Sequence, residues 1–286
     1  MTNITLTIDY EVFLGKHEFP EDTKNKLMII VDKLRYVVNT KLLIFIDFNF
    51  FRQIEGEKIY QLMFDEFFRD IRNKNNNIEI GFHYHPHWWG GVNIGNNTVE
   101  SISNYPYTYD ENILNEPKQF LELLSWARKK VEPFGFHLTA YRAGGWKYPQ
   151  QDDFSHILWV NGLKTDYSNN GAGKALQSES IHYITVTQLY RPIYNLQRIA
   201  QYARKRMNIL LSEEKELMAK THRGIEHRTM REKISNRMRI YVPADIDTVT
   251  IKKSELINKK CILVCHPKNF NEVTEKNLNT IRDVQR

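Results

Sequence analysis

Ile78-Glu79-Ile80-Gly81-Phe82-His83-Tyr84-His85-Pro86-His87-Trp88-Trp89 is an apolar run that breaks abruptly into histidines. Ile78 to Phe82 has the length and composition of a buried strand. Three imidazoles then fall within five positions, ahead of two tryptophans and Gly90-Gly91. The same pattern recurs along the chain. Ile4 to Asp9, Thr139 to Arg142, Leu163 to Asp166 and Cys261 to Cys265 read as strands ending at Asp9, Arg142, Asp166 and His266. Amphipathic helices separate them: Asp22 to Val38, Lys58 to Ile71, Pro117 to Val131, Asp152 to Val160 and Glu272 to Val284. Strand and helix in alternation argue for an α/β fold with a largely parallel sheet. An open sheet gathers only two or three strand ends at its switch point, whereas a barrel brings all of them to one face. An α/β barrel is therefore expected.

The remaining strand candidates are Leu42 to Ile46, Tyr183 to Val186, Ile240 to Val242 and Thr248 to Ile251. Residues 88 to 115 show no period and read as a long loop over the third strand, the kind that usually carries function. A long helix is expected over Asn195 to Lys220, followed by a polar, basic stretch to Arg237.

With 286 residues, 41% hydrophobic and 26% charged, the chain can bury a substantial core. Its start lacks the basic and apolar regions of a secretory signal, and no apolar run approaches a membrane span. A cytoplasmic location is the expectation. The net charge of +6 is uneven: residues 198–239 hold 12 Lys/Arg against 5 Asp/Glu, so that segment alone carries +7. No recognition motif accompanies this charge, so nucleic acid is not an expected partner. Cys261 and Cys265 lie ~13 Å apart along one strand, too far for a disulfide, and are expected as reduced core thiols. Dinucleotide fingerprint, complete phosphate loop and nucleophile elbow are all missing.

Imidazole is the commonest metal ligand near neutral pH. His83 and His87 stand four apart, so a helical turn or tight loop can aim both at one ion. Asp9 and Glu11 are i and i+2 at a strand end, so alternation puts both carboxylates on one face. Two imidazoles and a carboxylate hold a zinc-like ion with a place left for water, and the second carboxylate serves as base. Arg142 is the natural partner for such a base, and His266 has the chemistry to protonate a leaving group. Trp88, Trp89 and Trp146 offer faces for a sugar ring, although aromatics are equally ordinary core. Gly144 and Gly145 allow close backbone approach to a ligand.

Five segments together resemble the polysaccharide deacetylase family, also called the NodB-homology or carbohydrate esterase family 4 group. Thr7-Ile8-Asp9-Tyr10-Glu11 is similar to its first motif, T-F-D-D. Glu79 to His87 is similar to E-[IL]-G-x-H-x-x-x-H. Tyr141 to Trp146 resembles the R-A-G-G-W form of the third, Thr165 to Ser168 the fourth, and Val264 to Pro267 the fifth. Order and spacing agree from residue 5 to residue 270. The resemblance implies a distorted (β/α)7-type barrel formed by residues 1–286 as one domain. It implies a divalent metal, zinc first and cobalt, manganese or nickel after it, and removal of N- or O-acetyl groups from sugars. By the resemblance Asp9 is the base, held by Arg142, with His83 and His87 as ligands and His266 as the acid. Asp166 would support the Arg142 or His266 side. Tyr10 stands where the family's usual metal carboxylate falls, so a D-x-E branch is implied, with Glu11 on the metal. His85, lying between the two ligands, is set aside as outer or solvent-facing.

The expected function is a metal-dependent deacetylase acting on an acetylated sugar or glycan, nucleotide- or lipid-linked, in surface polysaccharide biosynthesis. The alternative is a non-catalytic carbohydrate-binding barrel with a degenerate metal site. Residues 190–250 match no motif and are expected as a basic helical insertion that covers the barrel or forms an oligomer contact.

Overall fold

The computed structural model describes residues 2–12, 20–74, 77–95, 99–102, 117–144, 152–169, 181–190 and 241–285. Two compact units divide the chain. One comprises residues 1–187 and 244–286, the other residues 188–243. In the second unit the described part is a pair of antiparallel strands, Gln188–Tyr190 and Tyr241–Pro243. The helix expected over 195–220, the basic stretch to 237 and most of the 190–250 insertion lie outside the described residues.

The first unit is a nearly closed parallel α/β barrel of seven strands. Its strands are β1 (Asn3–Tyr10), β2 (Thr40–Asp47), β3 (Ile78–Tyr84), β6 (Ala140–Ala143), β7 (Thr165–Asn169), β8 (His182–Thr185) and β11 (Lys260–Cys265). The short hairpin Val92–Ile94 with Val99–Ser101 supplies β4 and β5, and the second unit β9 and β10. The spatial order is β11-β1-β2-β3-β6-β7-β8, parallel at every step. β1 is buried from Ile4 to Tyr10 and β2 is nearly so along its length, because barrel strands bury both faces. Their near-continuous apolar runs follow from that.

Residues on either side of the 188–243 excursion draw the seam together. Thr187 N–H donates to Ile262 O at 2.9 Å, and Ile262 N–H donates back to Thr187 Oγ1 at 2.8 Å. Ala244 N–H donates to Thr187 O, Val264 N–H to Ala244 O, and Ile246 N–H to Val264 O. Asp245 thereby forms a parallel bridge with Val264.

Register fixes which side chains face inward. Asp9, Phe45 and Gly81 are partners across β1, β2 and β3, and Asp47, His83 and Arg142 across β2, β3 and β6. The opposite face carries Tyr10, Ile46, Phe82, Tyr141 and Asp166 in one row. Interior packing comes from Leu43, Phe45, Ala140, Tyr167 and Ile262. Outside, α1 (Pro20–Leu34) buries Leu27, Ile30, Val31 and Leu34, and the helix Pro117–Val131 buries Phe120, Leu123, Leu124, Ala127 and Val131. Phe48, Phe64, Phe67 and Phe68 fill the layer between sheet and helices.

Two sequence expectations are corrected. α1 stops at Leu34 rather than Val38, since the chain turns through Asn39 at φ 56° and leaves Val38 exposed. Thr248 to Ile251 is not a strand. Asp245 Oδ1 accepts from Asp247 N–H at 2.9 Å and Asp245 O accepts from Thr248 and Val249 N–H, which closes a turn there. Among the described residues no helix is long and apolar enough to cross a membrane.

Candidate active site

The C-terminal ends of β1, β3, β6 and β11 meet at one mouth of the barrel. Glu11 follows β1, His83 sits in β3 and His85 follows it, all three buried. His83 Nδ1 lies 2.9 Å from the carbonyl of Arg142. A carbonyl only accepts, so Nδ1 carries a proton, and in the neutral ring Nε2 is left with its lone pair. His83 Nε2 is 3.1 Å from Glu11 Oε2 and 3.0 Å from His85 Nε2, and His85 Nε2 also contacts Glu11 Oε2. The three donor atoms lie within 4.8 Å of one another. Asn49 Nδ2 donates to the His85 carbonyl at 2.7 Å and fixes the chain there. Two imidazoles and one carboxylate, buried and convergent, fit a divalent ion with an open position.

The electrostatics favour that fit at Glu11 and oppose it at His83. Burial pushes the Glu11 carboxyl up, but the Lys268 ammonium and then His85 and His83 outweigh it and hold Glu11 well below the carboxylate range. Burial pushes the His83 imidazole down, yet the bond that Nε2–H of the protonated ring donates to Glu11, with the nearby Asp9 and Asp47 carboxylates, raises it.

His85, not His87, completes this group. The chain is extended through His85 (φ −121°, ψ 105°), so residues 83 and 85 share a side by strand alternation. The four-residue spacing of His83 and His87 needs a helical turn or tight loop beginning at His83. Here the turn begins only at Pro86, in the 3-10 segment Pro86–Gly90. His87 is buried beside the cluster, its ring 5.2 Å from that of His85 and 4.5 Å from that of Trp88. Burial and the adjacent His85 drive its pKa down to about 2. His85, expected as outer or solvent-facing, is instead buried and stands within the donor group. Tyr10 points away: its ring packs on Phe51 and Phe67 and its hydroxyl donates to Met63 O at 2.9 Å. Asp9 and Glu11 do share the inner face, as alternation requires.

Asp9 lies between two cationic groups. Arg142 Nη1 donates to Asp9 Oδ1, Nη2 to Thr7 Oγ1 at 2.8 Å and Nε to Tyr167 O at 3.3 Å. The guanidinium also stacks over the Phe45 ring at 4.4 Å. His266 Nε2 approaches Asp9 Oδ2 at 3.5 Å. On its other side His266 Nδ1 faces Asp247 at 3.5 Å and Asp245 at 3.7 Å. Burial disfavours the imidazolium, but Asp247, Asp9 and Asp245 overcome it and raise His266 to about 9. Asp245 is itself pushed up to about 6, by burial above all, with His266 opposing. Asp247 is locked in place, accepting from His266 N–H and, at 3.0 Å, from Thr274 Oγ1. Asp245, Asp247 and His266 form a second group with donor atoms close enough to hold a cation.

Several expected residues take other places. Asp166 lies in the outward row with Tyr141, and its Oδ1 accepts from the N–H of Ser168 at 2.7 Å and from its hydroxyl. The Ser168 hydroxyl in turn accepts from Ala143 N–H at 2.8 Å, so Asp166 braces β6 against β7. Burial raises the Asp166 carboxyl to about 6. Trp88 is fully buried on Phe50, with Nε1–H donating to Asp47 Oδ2 at 2.7 Å. It is core rather than a sugar platform. Trp89 is half-buried and donates to Tyr84 OH at 2.8 Å. Gly144 is buried at the end of β6, and Gly145 and Trp146 lie outside the described residues.

Sequence reasoning missed Lys268, Asp245 and Asp247, besides discounting His85. Asp245-Ile246-Asp247 repeats the acid-x-acid spacing of Asp9-Tyr10-Glu11, and Lys268 stands two residues after His266. Those spacings were the available signals. Comparison of the chain with family models, curated proteins and solved structures gave no significant match.

Proposed function

We propose that the chain is a metal-dependent hydrolase that removes an acetyl group, N- or O-linked, from a sugar or glycan. One observation carries this reading: the buried Glu11–His83–His85 donor set opens beside Asp9, which Arg142 holds on one oxygen and His266 approaches on the other. A metal, a base and an acid together suffice for amide or ester hydrolysis by water. The resemblance of five segments to the polysaccharide deacetylase family supports the same reading.

Glu11, His83 and His85 would hold the ion, zinc by its His-His-carboxylate preference and otherwise cobalt, manganese or nickel. Bound there, it would polarise the acetyl carbonyl and the attacking water. Asp9 takes the proton at Oδ2, while Arg142 keeps Oδ1 occupied and the carboxylate oriented. His266 gives its Nε2 proton to the departing amine or hydroxyl. Asp245 and Asp247 keep His266 charged until that transfer. The substrate class we favour is an acetylated sugar linked to nucleotide or lipid, met in the cytoplasm during surface polysaccharide synthesis. The basic residues 198–239 suit a pyrophosphate or an anionic membrane surface.

A second reading, a carbohydrate-binding barrel that does no chemistry, draws on Lys268, whose ammonium neutralises Glu11 without an ion. Metal analysis of protein purified without chelators, together with acetate release from acetylated amino sugars and glycans, separates the two. The hydrolase reading expects one equivalent of metal and acetate release that a chelator abolishes and added metal restores. Metal-free protein that releases no acetate with any added divalent ion would leave the second reading.

A further inference from the structure

Among the described residues Lys268 is one of two buried lysines, 7% exposed in the turn Pro267–Asn269 that follows β11 and His266. Its ammonium contacts Glu11 Oε1, while both imidazoles contact Oε2. The carboxylate is thus divided, one oxygen to a fixed cation and one to the histidines. Burying an ammonium is costly, and here the ion pair with Glu11 offsets that cost, a pairing no apolar side chain could supply. Lysine at this position therefore serves something other than packing.

We propose that Lys268 is a positioning residue that restricts Glu11 to a single donor oxygen and moderates the affinity of the site for its ion. The inference rests on the metal-site reading above. With Oε1 engaged, the protein supplies three donor atoms, Glu11 Oε2, His83 Nε2 and His85 Nε2, and places remain open for water and a carbonyl. Without Lys268, Glu11 can turn both oxygens inward and occupy one of those places. The repulsion between a fixed ammonium and a dication disappears at the same time.

The test uses the full chain stripped of metal and titrated with Co(II) against a chromophoric chelator, with the visible d–d bands recorded at saturation. Lys268→Met should bind Co(II) about tenfold more tightly, which needs only ~1.4 kcal/mol of relieved repulsion. Its visible bands should weaken, as they do when coordination number rises. Lys268→Arg, which keeps the charge, should retain the parent's affinity and spectrum. Lys268→Gln carries the same expectation as Lys268→Met and stands in for it if near-ultraviolet circular dichroism shows that the methionine variant has not folded. If His83→Ala abolishes Co(II) binding while the neutral Lys268 variants match the parent in affinity and spectrum, or bind more weakly, this inference is overturned and the metal site stands. If the parent binds no Co(II), or binds it equally well after His83→Ala, the metal-site reading falls and takes this inference with it.

Discussion

Gly81 is the position where one added methyl should tell most about the barrel interior. It is the in-register partner of Phe45, and both backbones face inward at the level of Asp9. A Cβ there would lie 2.5 Å from Phe45 Cδ1 and closer still to Cε1, against ~3.5–4.0 Å for an ordinary carbon contact. The ring cannot simply swing aside. It is fully buried, with the Arg142 guanidinium 4.4 Å from its centroid and the Tyr167 ring 5.4 Å away. Overpacking of this kind costs roughly 1–3 kcal/mol, and the gain from replacing glycine in a strand returns about 0.5–1 kcal/mol of it. A contact this short places the cost at the upper end, so a net loss of about 2 kcal/mol is expected for Gly81→Ala, a fall in Tm of roughly 4–8 °C for a domain of this size. Urea unfolding followed by tryptophan fluorescence measures it. Phe45→Leu makes room for the methyl, so the double variant should be more stable than the sum of the single losses by about 1 kcal/mol. A Gly81→Ala protein as stable as the parent would refute the close approach of Phe45, and with it the inward register of β2 and β3.

Metal stoichiometry should separate the histidines: His83→Ala, His85→Ala and Glu11→Gln lower affinity at least about tenfold, the loss seen on weakening a metal's supporting shell, while His87→Ala retains one equivalent by elemental analysis. Arg142→Met leaves the Asp9 carboxylate without its buried guanidinium and should cost roughly 3–5 kcal/mol in urea unfolding. His266, raised from 6.5 to about 9, stabilises the fold fully below pH 6.5, and that stability drains away as the pH climbs through 9. Unfolding free energies at pH 6, 7.5 and 9 should therefore fall by about 3 kcal/mol in the parent, and His266→Gln should flatten the trend. Tyr10→Phe strands the Met63 carbonyl and should cost about 1 kcal/mol with metal content unchanged, because that side chain lies on the outer face.

Much of this was legible in strand periodicity. β1, β2, β3 and β11 are runs of apolar residues buried on both faces, and such runs identify themselves. Asp9 and Glu11 were placed correctly by alternation alone. The same rule, carried past Tyr84, would have paired His83 with His85. The i, i+4 spacing of His83 and His87 instead assumes a turn where the chain is still extended through His85. Asp166 shows the complementary case: its place at a strand end suggests an inward side chain, yet parity with Tyr167, which packs on Phe45, sends it out. Trp88 had no periodic signal, because it sits in a turn and its burial depends on Phe50 and Asp47 from another part of the chain. Lys268, Asp245 and Asp247 are brought in by tertiary closure, through turns whose hydrogen bonds leave little mark on local composition.

The seam carries a consequence for how the chain is put together. The excursion over 188–243 leaves after Thr187 and returns at Ala244, and one hydrogen bond of 2.8 Å joins the two ends. Closing a loop whose ends already touch adds only a logarithmic entropic cost as it lengthens. The length of the excursion therefore costs the barrel little closure entropy. A chain in which a short glycine turn connects Thr187 to Ala244 should still melt in one transition, which makes this seam a natural place for barrels of this kind to gain, exchange or lose an accessory element.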